Sequence, residues 1–301
     1  MNHLSFAQSQ RSLSRRRFLS YGAVAATGLT LPAVGLAAKH SHSELQHQLN
    51  WLLKRQRREG RISPYERTAW SVYDLQTNQK LVSIAENIPL QAASMVKVYV
   101  ALAYFYLHRQ APRKYPYHER ERRLMERMLV RSSNWATNKI IEMCKGPANV
   151  QKLCQVATKH RFQSLRVVEY IPSGGKTYRN KASADDYHRF LYDLWHNRLP
   201  CSGEIKRIMA IRNRDRISSE AMPDYVRVYD KTGSTGYLCG NMGVVQLNSG
   251  CAYTFISIIQ RHNKAGSYKR WIRTRGDAMR EASALVYRFM NSRYELLEDL
   301  S

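Results

Sequence analysis

A serine and a lysine three positions apart are the two residues of this sequence best placed to do chemistry together. They are Ser94 and Lys97, and they open an apolar run that continues to about Tyr106. We expect Ser94 in the first turn of a buried helix, where this spacing sets both side chains on one face. An alkyl hydroxyl attacks a carbonyl only if a base removes its proton, and a lysine is such a base when burial disfavours its charge. The alternative is an N-cap serine beside a solvated lysine.

Hydrophobic periodicity predicts the elements that must position this pair. In chain order they are a helix at 40–58, strands at 68–74 and 80–84, helices at 95–107, 118–130, 135–143, 149–160, 184–195 and 204–212, strands at 225–229, 243–247 and 253–259, and a helix from 268 toward 297. This order predicts an α/β (α+β) fold, in which a five-stranded antiparallel sheet is flanked by the N- and C-terminal helices. An all-helical lobe is inserted between the strands, and we expect a site between the two lobes.

Two more short motifs follow in the chain. Ser132-Ser133-Asn134 lies at a junction of two predicted helices, and the stretch from Lys231 to Ser234, Lys-Thr-Gly-Ser, closes a predicted strand. Together with Ser-x-x-Lys at position 94, they reproduce the motif set of class A β-lactamases and penicillin-binding proteins. The sequence therefore resembles the serine β-lactamase and penicillin-binding protein superfamily.

This resemblance covers residues 40–297. The segments Asn134–Asn138 and Arg214–Ile217 are also similar to stretches of class A-like enzymes. It implies a serine acyl-enzyme mechanism on β-lactams or on the D-alanyl-D-alanine ends of peptidoglycan stem peptides, with no cofactor and no metal.

The resemblance also implies catalytic roles for the motif residues. Ser94 would be the nucleophile, and Lys97 its base or a proton relay. Ser132 would pass the proton to the departing nitrogen. Lys231 would set the electrostatics of the site and, with Thr232, face the substrate carboxylate.

Substrate-binding roles follow from the same resemblance. Asn134 would hydrogen-bond the amide side chain of the substrate, and Gly233 would let the substrate backbone approach the strand. The backbone N–H groups of Ser94 and Ser234 would form the oxyanion hole. The alternatives are a helix-capping Ser132, a surface lysine and a turn glycine.

Two positions depart from the class A pattern. Ser133 stands where class A β-lactamases have aspartate, which weakens the lactamase interpretation but leaves acyl transfer intact. Asn241 lies about where many class A enzymes carry a carboxylate-binding arginine. Carboxylate recognition is therefore expected from Thr232, Ser234 or another basic residue.

Glu169 is the one candidate for a base that deacylates the enzyme. It lies at about the family interval after Ser132 and precedes an irregular loop that contains Pro172. The sequence after it does not reproduce the family's Glu-x-x-Leu-Asn, because Ser173 stands where the water-holding asparagine would be. A surface glutamate at a strand end is the alternative, and slow deacylation is the resulting prediction.

Charge restricts the partners. The chain of 301 residues has a formal charge of +25, and removing the four arginines of residues 1–38 leaves +21. Such an excess attracts polyanions. Basic residues are scattered, with no zinc-finger spacing and no aromatic RNA-binding signature, so nucleic acid is not an expected partner. Anionic envelope polymers or membrane surfaces fit better.

An export signal is predicted at the N-terminus. Ser14–Leu19 reads Ser-Arg-Arg-x-Phe-Leu, and an apolar stretch and two alanines follow. This order is typical of a signal peptide and resembles the twin-arginine signal. The prediction is a signal at 1–38 that engages the twin-arginine export machinery, and a periplasmic enzyme at 39–301; an uncleaved signal would anchor it in the inner membrane. Its lobes are expected at 39–90 with 220–301 (α/β) and at 91–219 (helical).

Five cysteines match no metal-site pattern. An oxidising periplasm would allow one or two disulfides, and Cys144 and Cys154 are the nearest pair in sequence.

The leading hypothesis is thus an exported serine hydrolase acting on D-alanyl-D-alanine-type peptides and reacting with β-lactams. One alternative is a true class A-like β-lactamase with Glu169 as the deacylating base. A second alternative, from a different class, is a basic envelope-binding protein with low turnover.

Overall fold

The fold is built on a five-stranded antiparallel sheet, seen in a computed structural model that describes residues 42–175 and 178–298. The strands are β1 (Arg67–Asp74), β2 (Gln79–Ile84), β3 (Leu90–Gln91), β4 (Lys181–Ala182), β5 (Arg227–Ser234), β6 (Leu238–Gln246) and β7 (Ala252–Gln260). The large sheet has the order β2-β1-β7-β6-β5, and all of its neighbours are antiparallel. The predicted fold class is confirmed.

Eight α-helices accompany the strands in the described ranges. They are α1 (His42–Arg58), α2 (Lys97–Gln110), α3 (Glu119–Leu129), α4 (Asn134–Met143), α5 (Pro147–Ala157), α6 (Ala184–Trp195), α7 (Ser202–Met209) and α8 (Tyr268–Glu298). Helices α2 to α7 lie between β3 and β5 in the chain, which matches the predicted helical insertion.

Two hydrophobic cores hold the fold together. Side chains of a strand alternate between its two faces, so β1 contributes Trp70 and Val72 to one core and Ala69 to the other. The first core is closed by α1, through apolar positions such as Leu45 and Leu49, and by α8. The second is shared with the inserted helices, so the sheet supports both layers.

Helix α2 lies in the middle of the second core. Every residue from Lys97 to Phe105 is buried, which is the pattern of a helix that is apolar on all sides. The amine of Lys97 is therefore fixed at the start of a rigid, water-excluded element.

The strands differ from the prediction near the Lys-Thr-Gly motif. Strand β5 continues through this motif to Ser234, and β6 begins at Leu238 rather than at 243. The glycines of β6 hid its first half, because Gly240 and Gly243 lack the side chains that produce an alternating pattern. The two-stranded sheet of β3 and β4 was not predicted, since each strand has only two residues.

The predicted signal at 1–38 lies outside the described residues. Within the described ranges, no helix combines the length and the apolar character that a membrane span requires. The five cysteines, all in the described part of the chain, are free thiols, and Cys144, Cys154 and Cys239 are buried.

Candidate active site

Ser94 lies in a short 3-10 turn, Ala93–Val96, that leads directly into α2. The prediction that Ser94 belongs to the first turn of the α-helix is wrong, because the helix begins at Lys97. Ala93 has φ +46°, in the left-handed region that residues with a side chain rarely adopt. Such strain persists where the surrounding packing enforces it, and it is common at functional sites.

The Lys97 amine is surrounded by oxygen atoms of the predicted site residues. Its Nζ lies 2.7 Å from Ser94 Oγ, 3.1 Å from the Ser132 carbonyl oxygen, 3.3 Å from Ser132 Oγ and 3.0 Å from Asn134 Oδ1. The structure thus brings together four residues that lie up to 40 positions apart in the sequence. The alternative of a solvated lysine is wrong, since Lys97 is 0% exposed.

A neutral amine can satisfy these contacts. A neutral lysine has two N–H groups and one lone pair, whereas its charged form has three N–H groups and cannot accept a hydrogen bond. Two N–H groups can bind the Ser132 carbonyl and Asn134 Oδ1, which leaves the lone pair for the hydroxyl of Ser94. Burial first, and then the charge of Lys231, hold the pKa of Lys97 well below the usual lysine value.

Ser132 and Ser133 have different roles in their loop. Ser133 is the N-cap of α4, and its Oγ accepts the backbone N–H of Ala136 at 3.2 Å. Ser132 is not the cap; its φ of +55° is left-handed, and its hydroxyl lies beside Lys97. Ser133 N–H donates to the carbonyl of Arg127 at 3.0 Å, which ties the loop to the end of α3.

Lys231 is buried, at 2% exposed, and it donates to the Thr232 carbonyl at 3.1 Å. The alternative of a surface lysine is therefore wrong. Burial lowers the pKa of Lys231 to about 8, with Arg216 acting in the same direction and Asp230 against it. Burial also raises the pKa of Asp230 to about 6, helped by the charge of Asp215, while the hydrogen bond that Asn241 Nδ2 donates at 2.8 Å acts in the opposite direction.

Gly233 allows β5 to approach the Ser94 turn. A Cβ atom at this position would lie 2.9 Å from Met95 Cγ and 3.2 Å from the carbonyl oxygen of Ala92. A Cβ atom on Gly240 of the neighbouring strand would lie 2.7 Å from Met95 Cε. The structure thus gives Gly233 a packing reason, which differs from the predicted approach of substrate backbone.

The cleft beside these groups has a volume of about 250 Å³. The residues that line it are Ser94, Ser132, Asn134, Ile171, Gly175, Thr232, Ser234 and Tyr268. Five of them were predicted from the motifs, and the two proposed oxyanion-hole residues, Ser94 and Ser234, are both present. Ile171, Gly175 and Tyr268 were missed, because they belong to no motif; the first two lie in an irregular segment, and Tyr268 is the first residue of α8.

Arg216 reaches this cleft through Ser234. Its guanidinium donates to Ser234 Oγ at 2.6 Å and to the Gly240 carbonyl at 2.9 Å, and its backbone N–H donates to Asn241 Oδ1 at 2.7 Å. Asn241 was expected to stand where class A enzymes carry an arginine. It instead accepts a hydrogen bond from the backbone of Arg216 and so helps to position that arginine. The similarity of Arg214–Ile217 to class A-like enzymes was the sequence signal for this residue.

Glu169 is absent from the residues that line the cleft. Its Oε1 accepts the backbone N–H groups of Tyr178 and Arg179, both at 2.8 Å. This carboxylate closes the irregular loop on itself. Ile171, two residues further along the chain, is the residue of this loop whose side chain borders the cleft together with Ser94.

The arrangement can carry out acyl transfer through a serine ester. A hydroxyl lies in contact with a buried amine of lowered pKa, a second hydroxyl lies within reach of the same amine, and Arg216 contacts Ser234 at the edge of the cleft.

Comparison with known proteins agrees with this chemistry. The family model described as the beta-lactamase enzyme family matches residues 114–290, which is more than half of the chain and contains Ser132 and Lys231. No curated protein sequence shows a significant match.

Solved structures share the fold. One of PBP-A is 18% identical, with a TM-score of 0.67, over 83% of this chain and 96% of that chain. A mutant of PBP-A, solved as an acyl-enzyme complex with penicillin G, is 18% identical with a TM-score of 0.65, over 83% and 97%. A β-lactamase from Desulfarculus baarsii DSM 2075 is 16% identical with a TM-score of 0.67, over 83% and 98%. The protein belongs to the beta-lactamase enzyme family and is a serine hydrolase of the β-lactamase fold.

Proposed function

We propose that the protein is an exported enzyme that is acylated at Ser94 by β-lactams and by D-alanyl-D-alanine-type peptidoglycan peptides. The observation that carries this proposal is the 2.7 Å contact between Ser94 Oγ and the buried amine of Lys97. Burial lowers the pKa of Lys97 and so favours the neutral amine, the form that can take the hydroxyl proton.

Acylation then proceeds by proton transfer, formation of the ester bond and cleavage of the carbon–nitrogen bond. Lys97 Nζ takes the proton from Ser94, and Oγ forms a bond to the carbonyl carbon of the amide. Backbone N–H groups of Ser94 and Ser234 bind the oxyanion, and losing one such donor typically costs about 3 to 4 kcal/mol. The carbon–nitrogen bond breaks as the nitrogen receives a proton through Ser132. A second acceptor, water or an amine, later releases the acyl group.

A terminal carboxylate is recognised at the other end of the cleft. Thr232 and Ser234 line the cleft there, and Arg216 donates to Ser234 Oγ. Lys231 adds a second cation close by. Both D-alanyl-D-alanine peptides and penicillins carry a carboxylate near the reacting amide, so one site can serve both substrate classes.

The second part of the proposal is slow deacylation, which would make the protein a peptidase rather than an efficient β-lactamase. Hydrolysis of the ester needs a base beside it, and the Glu169 carboxylate binds loop backbone instead. The loop presents Ile171 to the cleft, and an apolar side chain cannot activate water. We therefore propose a long-lived penicillin adduct.

A fluorescent penicillin tests the proposal. The purified protein should be labelled covalently, and the Ser94→Ala variant should not be. Intact mass spectrometry then gives the lifetime of the adduct and its site. Labelling of the variant equal to that of the unchanged protein would refute the enzyme, and rapid nitrocefin turnover would favour the β-lactamase.

Export is the part of the proposal that depends on the sequence of Ser14–Leu19 alone. Cell fractionation should find the full chain in the periplasm. Replacing the arginine pair, Arg15→Lys with Arg16→Lys, should retain the protein in the cytoplasm, whereas Arg11→Lys should not. Equal periplasmic amounts of all variants would exclude the twin-arginine route.

A further inference from the structure

A groove between α3 and α4 is larger than the catalytic cleft, with a volume of about 770 Å³. Its apolar floor includes Leu124 and Met143, and Trp135 lies beside them with 58% of its surface exposed. Exposed tryptophan is uncommon, because its large apolar surface favours burial. Tryptophan is enriched at interfaces, because it offers a partner a large apolar face and one N–H donor.

Cations line the same groove. Arg120, Arg123, Arg127 and Lys139 contribute their side chains. Arg123 pairs with Glu119 at 2.6 Å, and Lys139 pairs with Glu142 at 2.8 Å. Within the described ranges, Arg120 and Arg127 form no such ion pair. These two guanidinium groups therefore keep their binding capacity for a ligand.

The groove adjoins the catalytic cleft through a shared loop. Arg127 is part of the groove, and its carbonyl accepts the backbone N–H of Ser133. Trp135 directly follows Asn134, whose side chain contacts Lys97. A polymer held in the groove would thus lie next to the loop that carries Ser132 and Asn134.

We infer that this groove binds a carboxylate-bearing polysaccharide strand, with a sugar ring on Trp135 and its carboxylates on Arg120 and Arg127. A pyranose ring has an apolar face that can stack on the indole. Its hydroxyl groups can donate hydrogen bonds to the carboxylates of Glu119 and Glu142. Carboxylates spaced along such a strand would match Arg120 and Arg127, because the ion-paired Arg123 lies between them on α3. The inference deepens the proposed function, on which its link to peptidoglycan rests, by naming the part of the substrate that is held outside the cleft.

Two other anionic partners fit less well. Nucleic acid carries one charge on every phosphate, which is a denser charge than the two unpaired arginines of the groove match. A membrane surface is met by a protruding amphipathic face, whereas Trp135 borders a concavity.

Binding of the Ser94→Ala protein to soluble, uncrosslinked peptidoglycan glycan strands tests the inference without any reaction. Arg120→Ser with Arg127→Ser should weaken binding about tenfold or more, since each cation near an anionic surface contributes substantially. Trp135→Ala should weaken it roughly fivefold through the lost platform. The matched control is Arg58→Ser with Arg273→Ser, two exposed arginines on α1 and α8, which should leave affinity within about twofold if the site is local.

Penicillin labelling of the same groove variants, with Ser94 intact, separates the two proposals. If the groove variants are labelled normally but no longer bind strands, the groove proposal is supported. If the protein with an unchanged groove is not labelled, only the proposed acylation at Ser94 is contradicted. Equal weakening in the control pair would overturn the groove, because net charge alone would explain binding. Tighter, groove-dependent binding of duplex DNA or of vesicles with anionic lipid would replace the polysaccharide with that partner.

Discussion

The side-chain amide of Asn138 binds both backbone groups of Ile171. Asn138 Nδ2 donates to the Ile171 carbonyl at 2.8 Å, and Asn138 Oδ1 accepts the Ile171 N–H at 2.9 Å. These two bonds fix the loop to α4 at the residue that borders the cleft. Ile171 is 2% exposed and lines the cleft, so a closely packed apolar residue occupies this position in the cleft that contains Ser94.

A carboxylate at position 171 should therefore create a deacylating enzyme. We expect Ile171→Glu to shorten the lifetime of the penicillin adduct by roughly 100-fold, since a positioned general base typically contributes at least that factor. Ile171→Gln is the matched control, because it has the same shape without a base. Intact mass spectrometry follows both adducts, and equal lifetimes would show that this position is not where water attacks.

Removing the carboxylate of Glu169 should lower the stability of the protein and leave the lifetime of the penicillin adduct nearly unchanged. Glu169→Ala deletes the acceptor of two backbone N–H groups, and because the N–H of Arg179 is exposed to water, we expect a loss of only about 1 kcal/mol. The free energy of urea unfolding should fall accordingly, while the adduct lifetime stays within about twofold. A greatly prolonged adduct would instead make Glu169 the deacylating base.

Replacing the Lys97 amine should separate charge from basicity. Lys97→Arg places a permanent cation at this position, because a guanidinium is not deprotonated in proteins. The rate constant of penicillin acylation should fall by at least about 100-fold. Circular dichroism and thermal unfolding report whether the variant is folded, and near-normal labelling would mean that the proton leaves through another group, such as Ser132.

Acylation should lose efficiency above pH 8 because of Lys231. An amine is charged below its pKa, and the pKa of Lys231 is lowered to about 8, so its attraction for a substrate carboxylate weakens as the pH rises through that value. The acylation rate at low penicillin concentration should fall from pH 8 to pH 9.5. Lys231→Arg keeps its charge and should abolish this decline; the same decline in both proteins would assign it to another group.

Packing of β5 against the Ser94 turn should make Gly233 intolerant of a side chain. Gly233→Ala places a Cβ atom 2.9 Å from Met95 Cγ, and overpacking of this kind costs about 1 to 3 kcal/mol of unfolding free energy. Gly203 on α7 is the matched control, since a Cβ there meets nothing within 4 Å. Gly203→Ala should stabilise the protein by up to about 1 kcal/mol. Urea unfolding measures both, and equal effects would contradict the close approach.

The sequence by itself determined the order of the elements and the three motifs. Helices such as α1 and α8 follow from apolar positions that repeat at helical spacing, which is a local property. Ser94 and Lys97 lie three residues apart, so their contact follows from chain geometry once the turn forms. The family could likewise be named from short motifs in a fixed order.

Only the tertiary structure decided which loop residue meets the cleft. Glu169 and Ile171 are two positions apart in an irregular segment, and no periodicity indicates which side chain turns inward. Asn138, more than 30 residues earlier, selects Ile171 by binding its backbone. Arg216 is a similar case, because Asn241 on a distant strand fixes it. Contacts between remote segments depend on packing of the whole fold, which a local pattern does not encode.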